Sequence, residues 1–403
     1  MRNMSMSTRT HCRRFDGWTA LAVVAIAAAL GRIAAEIAVV AIFVAIPFAA
    51  AAFDLVLNHM DRKSPLFQLY GEDYEASPYF HRFEGENWGF PDIDQPSEAV
   101  KAYTADVISH WIYDYHVDGF RYDMAEMVPV EFWSYLNSSI KTVNPDAFLL
   151  AEVYNPALYR DYIFKGRMDY LYDKVGLYDT LKPVMQGKAS TDAIAPVHAE
   201  VLDIEEHMLH FLENHDEQRI ASPDFAGDAE KAKPAMVVSA LLSRSPTMVY
   251  FGQAVGEPGD GDAGFGDPTR TTIFDYWGVP AHQRWMNGGA FDGGQLTDDE
   301  RALRDFYVRL LNLSKHRVFA SGKYAPLETG NDKLFAFARW TSGKQRIVVS
   351  NFDDDQSHEL TLEVPAELIN EWQLRDGRYI LAEQLYGTNA SRLIVDNGEG
   401  TAR

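Results

Sequence analysis

Three acids, Asp123, Glu152 and Asp216, each stand where a short apolar or alternating run of residues stops. The runs are Asp118-Gly-Phe-Arg-Tyr-Asp123, Phe148-Leu-Leu-Ala-Glu152 and Phe211-Leu-Glu-Asn-His-Asp216, and a fourth, Phe53-Asp-Leu-Val-Leu-Asn-His59, ends on Asn58 and His59. Breaking a glycosidic bond needs an acid to protonate the leaving oxygen and a carboxylate to attack or stabilise the cationic sugar carbon, about 5–5.5 Å apart in a retaining enzyme. Two acids suffice for that chemistry, and a third can orient sugar hydroxyls.

Acids 29 and then 64 residues apart meet only if different elements carry them. Each run has the pattern of a buried strand, and in a closed parallel barrel all strand ends open onto one face, where active sites of that fold are built. Strand patterns fall at 53–57, 117–122, 147–151, 168–172, 208–212 and 247–251, alternating with helical patterns near 97–115, 130–142, 156–164, 179–188, 230–243 and 298–316. The expected fold is α/β, a (β/α)8 TIM-type barrel with strands three to eight recognisable. The excursion 59–96 reads as an inserted subdomain over the strand ends. Short strands at 334–339, 346–351, 359–364 and 379–385, separated by turn residues, read as a C-terminal antiparallel domain. The polar tail 396–403 carries no strand in this reading. The predicted units are therefore 1–52, 53–320 with 59–96 inserted, and 321–403.

A formal net charge of -21 argues against nucleic acid, whose phosphates need clustered Lys and Arg. One cysteine, Cys12, allows neither an intrachain disulfide nor a Cys-based zinc site. Residues 1–17 carry Arg2, Arg9, Arg13 and Arg14 ahead of the apolar runs 19–30 and 33–53. That pattern suits export or a membrane anchor, which would make the chain secreted or periplasmic and membrane-associated only through that segment. The second run continues without a loop into the strand ending at Asn58, however, and the first two barrel units would have to come from the same residues. A truncated or frame-shifted gene start is the preferred expectation for 1–52.

The four runs resemble, in order, the four signature regions of the α-amylase superfamily, the retaining glycoside hydrolases of family thirteen. Phe90-Pro-Asp-Ile-Asp94 resembles that family's motif near the end of its inserted domain, and Ser245-Pro-Thr-Met-Val-Tyr-Phe-Gly252 its strand-eight segment. The resemblance implies that Asp123 is the nucleophile, Glu152 the general acid/base and Asp216 the transition-state stabiliser, with Asn58, His59, Arg121 and His215 lining the same subsite. It implies a monomer acting on starch or maltooligosaccharides. Arg121, two residues before Asp123 on a strand, would face the same way and keep that carboxylate ionised. Glu152, flanked by two acids, would hold its proton to higher pH. Trp88, Tyr79 and Phe80 are candidates to stack on sugar faces. Asp54 is given a structural role at the start of its strand, and Phe132, Trp133 and Trp111 are expected to pack in the core.

Two departures qualify these expectations. Many relatives carry a Lys that touches the sugar and then a His whose carbonyl helps hold calcium, where this chain has Glu126 and Met127. No cofactor is therefore expected, and calcium at Asn58 is doubtful. Transfer to a second sugar, as in branching enzymes, uses the same acids. A truncated, non-catalytic glycan-binding relative is the reading of a different class.

Overall fold

The computed structural model describes residues 41–42, 51–73, 76–81, 89–259, 269–271, 279–387 and 389–403. Strand β1 (Ala41–Ile42) pairs antiparallel with β2 (Ala52–Val56). Beyond β2 lie helix α1 (Pro65–Tyr70) and the short antiparallel pair β3 (Phe80–His81) and β4 (Asp92–Ile93). Then α2 (Glu98–Tyr115), β5 (Gly119–Asp123), α3 (Val130–Val143), β6 (Phe148–Ala151), α4 (Tyr159–Phe164) and β7 (Tyr170–Tyr172) alternate. Helices α5 (Asp179–Met185) and α6 (Ile194–Glu200) lead to β8 (Met208–Leu209), and α7 (Lys233–Leu241), α8 (Pro280–Met286), α9 (Asp298–Ser314) and α10 (Arg317–Ala320) follow. The sheet runs β1-β2-β5-β6-β7-β8, parallel from β2 onward, and Thr247 extends it by a parallel bridge to His210. Five of the six predicted parallel segments thus form strands, and the sixth, 247–251, pairs only through Thr247. Apart from residues 41–42, 51 and 52, the segment 1–52 lies outside the described residues, and with it the expectations made for it. No helix among the described residues is long and apolar enough to cross a membrane.

The side-chain period of two splits each strand between two cores. Leu149 and Ala151 of β6, with Phe120 and Tyr122 of β5 and Leu171 of β7, pack with Ile108 and Ile112 of α2 and Phe132, Trp133 and Leu136 of α3. Leu150, Tyr172 and Leu209 turn to the opposite face and join Phe211, Leu241 and Phe306. Trp133 and Phe132 are buried as expected, and Trp111 packs edge-on against Phe53. The spacing of Val100, Thr104, Ile108 and Ile112 along α2 is one buried stripe, and Ser97 caps the first turn by accepting from the N–H of Ala99. Strands β5 and β6 approach so closely that a Cβ at Gly119 would lie 2.1 Å from the Phe148 carbonyl oxygen.

From Lys323 onward the strands are antiparallel. Strands β9 (Lys323–Leu327), β10 (Leu334–Thr341) and β11 (Lys344–Asn351) form one sheet, ordered β11-β10-β9. Strand β12 (Leu362–Val364), helix α11 (Ala366–Glu371), β13 (Gly377–Ala382), β14 (Ala390–Asp396) and β15 (Glu399–Ala402) follow, with sheet order β12-β15-β14-β13. The expectation of a strandless polar tail is corrected here: Glu399–Ala402 lies between two partners. Its signal is Asn397-Gly398, both at positive φ (53° and 81°) between Asp396 and Glu399, the primed two-residue turn that Asn-Gly favours.

Candidate active site

Asp123 is the last residue of β5, Glu152 the first after β6, and Asn58 and His59 lie just past β2. The parallel register sets Asp54 beside Arg121 and Val56 beside Asp123, so these four share a face. Arg121 is the hub. Its Nη1 donates to both oxygens of Asp54 (3.2 Å each) and to Oδ1 of Asp123 (2.6 Å), and its Nη2 donates to Oε2 of Glu152 (2.9 Å). Side-chain exposure is 0% for Arg121, 8% for Asp54, 12% for Glu152 and 22% for Asp123, reaching 34% at Asp216. The series runs from floor to mouth. Arg121, expected among the groups lining the subsite, is instead wholly covered and touches the carboxylates from beneath.

Asp216 is positioned by local hydrogen bonds rather than by a strand. Asn214 Oδ1 accepts from the N–H groups of Asp216 (2.8 Å) and Glu217 (2.9 Å), an Asx-type turn. Deeper in this loop, buried Glu213 accepts from Arg219 Nη1 (2.7 Å) and from the N–H of Ile220 (2.7 Å). Arg219 Nε also donates to Thr271 Oγ1 (2.6 Å), and the neighbouring Arg270 donates through Nη2 to Asp216 Oδ1 (2.6 Å) and through Nε to the carbonyl of His215 (3.2 Å). His215 Nε2 lies 3.1 Å from Asp216 Oδ2.

Burial raises the pKa of Glu152, and the charges of Asp123 and Asp216 add to the rise against the pull of Arg121 and the N–H of Met124. The direction is the one expected from the flanking acids, with burial as the larger cause. Oε2 of Glu152 accepts from both Arg121 and Met124 (2.8 Å), which leaves Oε1 to carry a proton. Asp54 is raised to about 7, mainly by burial, with Arg121 opposing. Burial lowers both His59 and His215, so each is a neutral ring with one N–H to donate at neutral pH. In His215 the proton on Nε2 satisfies Asp216.

Asn58 is buried, its amide 3.4 Å from His59 Nδ1, and His59 stacks on Phe90 at 5.2 Å. The 90–94 segment therefore reaches the acids through His59, which also bridges to Asp92. Phe80 is corrected from a stacking candidate to a core residue, 1% exposed and edge-on to Phe67. Tyr79 packs between Tyr70 and Tyr103, and Trp88 lies outside the described residues. Among the described residues no three His, Cys, Asp or Glu side chains converge as metal ligands.

Several members of the site escaped the sequence reading. Asp54 could have been found from the period of two, which puts it on the face of Asn58. Burial raises the hydroxyls of Tyr154 and Tyr172, with a smaller push from Glu152 on both, and Tyr172 faces the Arg121 guanidinium at 5.8 Å. Arg270 carries no local signal at all.

The family described as "Alpha amylase, catalytic domain" matches residues 70–275. A cyclomaltodextrinase of Geobacillus thermopakistaniensis is 27% identical over 43% of this chain and 29% of its own length, and alpha-amylase 2 of Dictyoglomus thermophilum 24% over 75% and 52%. The chain thus spans about a third to a half of these curated relatives. In fold it is similar to an Anoxybacillus alpha-amylase (TM-score 0.66, 20% identity, 88% of this chain and 73% of the other) and to the Geobacillus thermoleovorans alpha-amylase crystallised with acarbose (0.64, 21%, 88% and 77%).

Proposed function

This chain belongs to the α-amylase catalytic-domain family, and from its site we propose that it is a glycoside hydrolase acting on α-glucans by a double displacement with net retention. The observation that carries the reading is one buried guanidinium bonded to two partly exposed carboxylates on adjacent strands, Asp123 and Glu152. Asp123 Oδ2, which takes no part in that bond, attacks the anomeric carbon as Glu152 gives its proton to the departing oxygen. Glu152, now ionised, takes a proton from water, and the hydroxide so formed releases the sugar from Asp123. The raised pKa of Glu152 suits the acid of the first step. Asp216 and His59 stand where sugar hydroxyls need acceptors and donors. Two carboxylates suffice for these steps.

The test is release of reducing ends from soluble starch by the purified chain beside Glu152→Gln. The variant should lose about 10²–10⁴-fold in kcat, and the first product seen by proton NMR should be the α anomer. Equal turnover in both proteins, or a β first product, would sink the assignment.

A further inference from the structure

We propose that Glu126 is the positioning residue for the acid/base Glu152, acting through the main chain at and just after that residue; this rests on the reading of Glu152 given above. The turn after β5 holds Glu152 at three places. Met124, with φ 46°, sits in the left-handed region that a bulky side chain rarely adopts, and there its N–H points at Oε2 of Glu152 (2.8 Å). The N–H of Glu126 donates to the carbonyl of Glu152 (3.3 Å). The carboxylate of Glu126 then reaches past it, one oxygen accepting from the N–H groups of both Tyr154 and Asn155 (2.9 Å each). Such bonds to an ionised acceptor are among the stronger ones. The turn itself is fixed from below, because buried Trp133 donates through Nε1 to the carbonyl of Ala125 (2.9 Å) and Tyr162 through its hydroxyl to the carbonyls of Glu126 (3.2 Å) and Val128 (2.8 Å).

The consequence is chemical. Glu152 follows the last residue of β6, so no ladder bond of its own strand extends to the residues after it. Without Glu126 the N–H groups of Tyr154 and Asn155 lose the one oxygen that accepts from both, and the Oε1 proton loses its aim at the leaving oxygen. A displacement of 1 Å at such a group costs on the order of 10²-fold in rate.

The experiment compares wild type, Glu126→Ala and Glu126→Gln on two substrates. A maltooligosaccharide has a sugar alkoxide to expel and needs the proton, whereas a dinitrophenyl α-maltoside expels a stable phenolate and does not. Glu126→Ala should lose about 10²-fold in kcat/KM on the first and far less in kcat/KM on the second, the parameter that reports bond cleavage and leaves out the base-assisted release both substrates share. Glu126→Gln, which keeps one acceptor oxygen, should recover most of the loss. Amide hydrogen exchange, which needs no turnover, should speed up at Tyr154 and Asn155 in Glu126→Ala and not in β5 or β6. Equal losses on both substrates, or unchanged protection at Tyr154 and Asn155, would overturn the proposal while leaving the hydrolase reading intact. Wild type that cleaves neither substrate would overturn both.

Discussion

At the scale of single residues, the site is a problem in charge balance. One buried cation faces Asp54, Asp123 and Glu152, and three ionised partners would leave the floor with an excess of negative charge. Raised pKa values at Asp54 and Glu152 relieve that excess by keeping protons on the buried acids. Removing the cation should be severe: Arg121→Met leaves buried carboxylates without a partner and should cost roughly 3–5 kcal/mol, read as a shift in the denaturant midpoint. For Asp54 the sign works the other way. Its folded pKa of about 7 lies above the ordinary carboxyl value of 3.8, so the folded state holds the proton more tightly and stability falls as pH rises from about 4 to about 7. Asp54→Asn should flatten that part of the stability profile, and a wild-type curve that rises across the window would contradict the assignment. Asp123, Glu152 and Asp216, the acids to which the proposed chemistry is assigned, stood out in the sequence because strand patterns stop at or just before them. The bonds of Asp54 to Arg121, of Arg270 to Asp216 and of Glu126 to residues 154 and 155 were not legible there, since those partners lie 67, 54 and 28 or 29 residues away and only the fold brings them together.

At the scale of elements, the alternating strands and helices were readable because period two and period 3.6 differ plainly over this stretch. The predicted helices at 97–115, 130–142 and 298–316 meet α2, α3 and α9 nearly end to end. What failed was shorter. Helix α6 is seven residues with Pro196 in it, too brief to show a stripe, and β14 with β15 was passed over despite its Asn397-Gly398 turn. The contact between β5 and β6 makes its own prediction. Gly119→Ala would push a Cβ into the Phe148 carbonyl, backbone that cannot rotate away. A loss of about 1–3 kcal/mol is expected, and since Asp123 and Glu152 end these two strands, kcat should fall along with thermal midpoint. A variant equally stable and active would mean that the strands can separate freely.

At the scale of the whole molecule, the antiparallel sheets are part of the core that backs the site. Phe335, Phe337, Val348 and Phe352 belong to the same buried cluster as Leu150, Tyr172 and Leu209. Arg339 of β10, fully buried, donates to the carbonyls of Leu242 (2.7 Å), Phe319 (2.7 Å) and Gly322 (3.0 Å), and Thr191 Oγ1 donates to the Leu334 carbonyl (2.9 Å). Truncation after Ala320 should therefore expose a large apolar face and give protein that aggregates or binds hydrophobic dye. A soluble, cooperatively melting 1–320 fragment would show that the sheets are dispensable. Sequence patterns announced these strands but not the shared core, because periodicity tells which side of a strand is apolar and not what covers it.

The guanidinium on the cleft floor has one more effect, on competing folds. Its partners come from β2, β5 and the end of β6, each in a defined register. A slip of one residue in β2 would set Phe53 or Leu55 against Arg121 in place of Asp54 and leave a buried cation short of the two oxygens that Asp54 offers it. Misaligned sheets are thus penalised by the same charges to which the proposed chemistry is assigned, so the cleft floor also helps the chain proofread its own strand alignment.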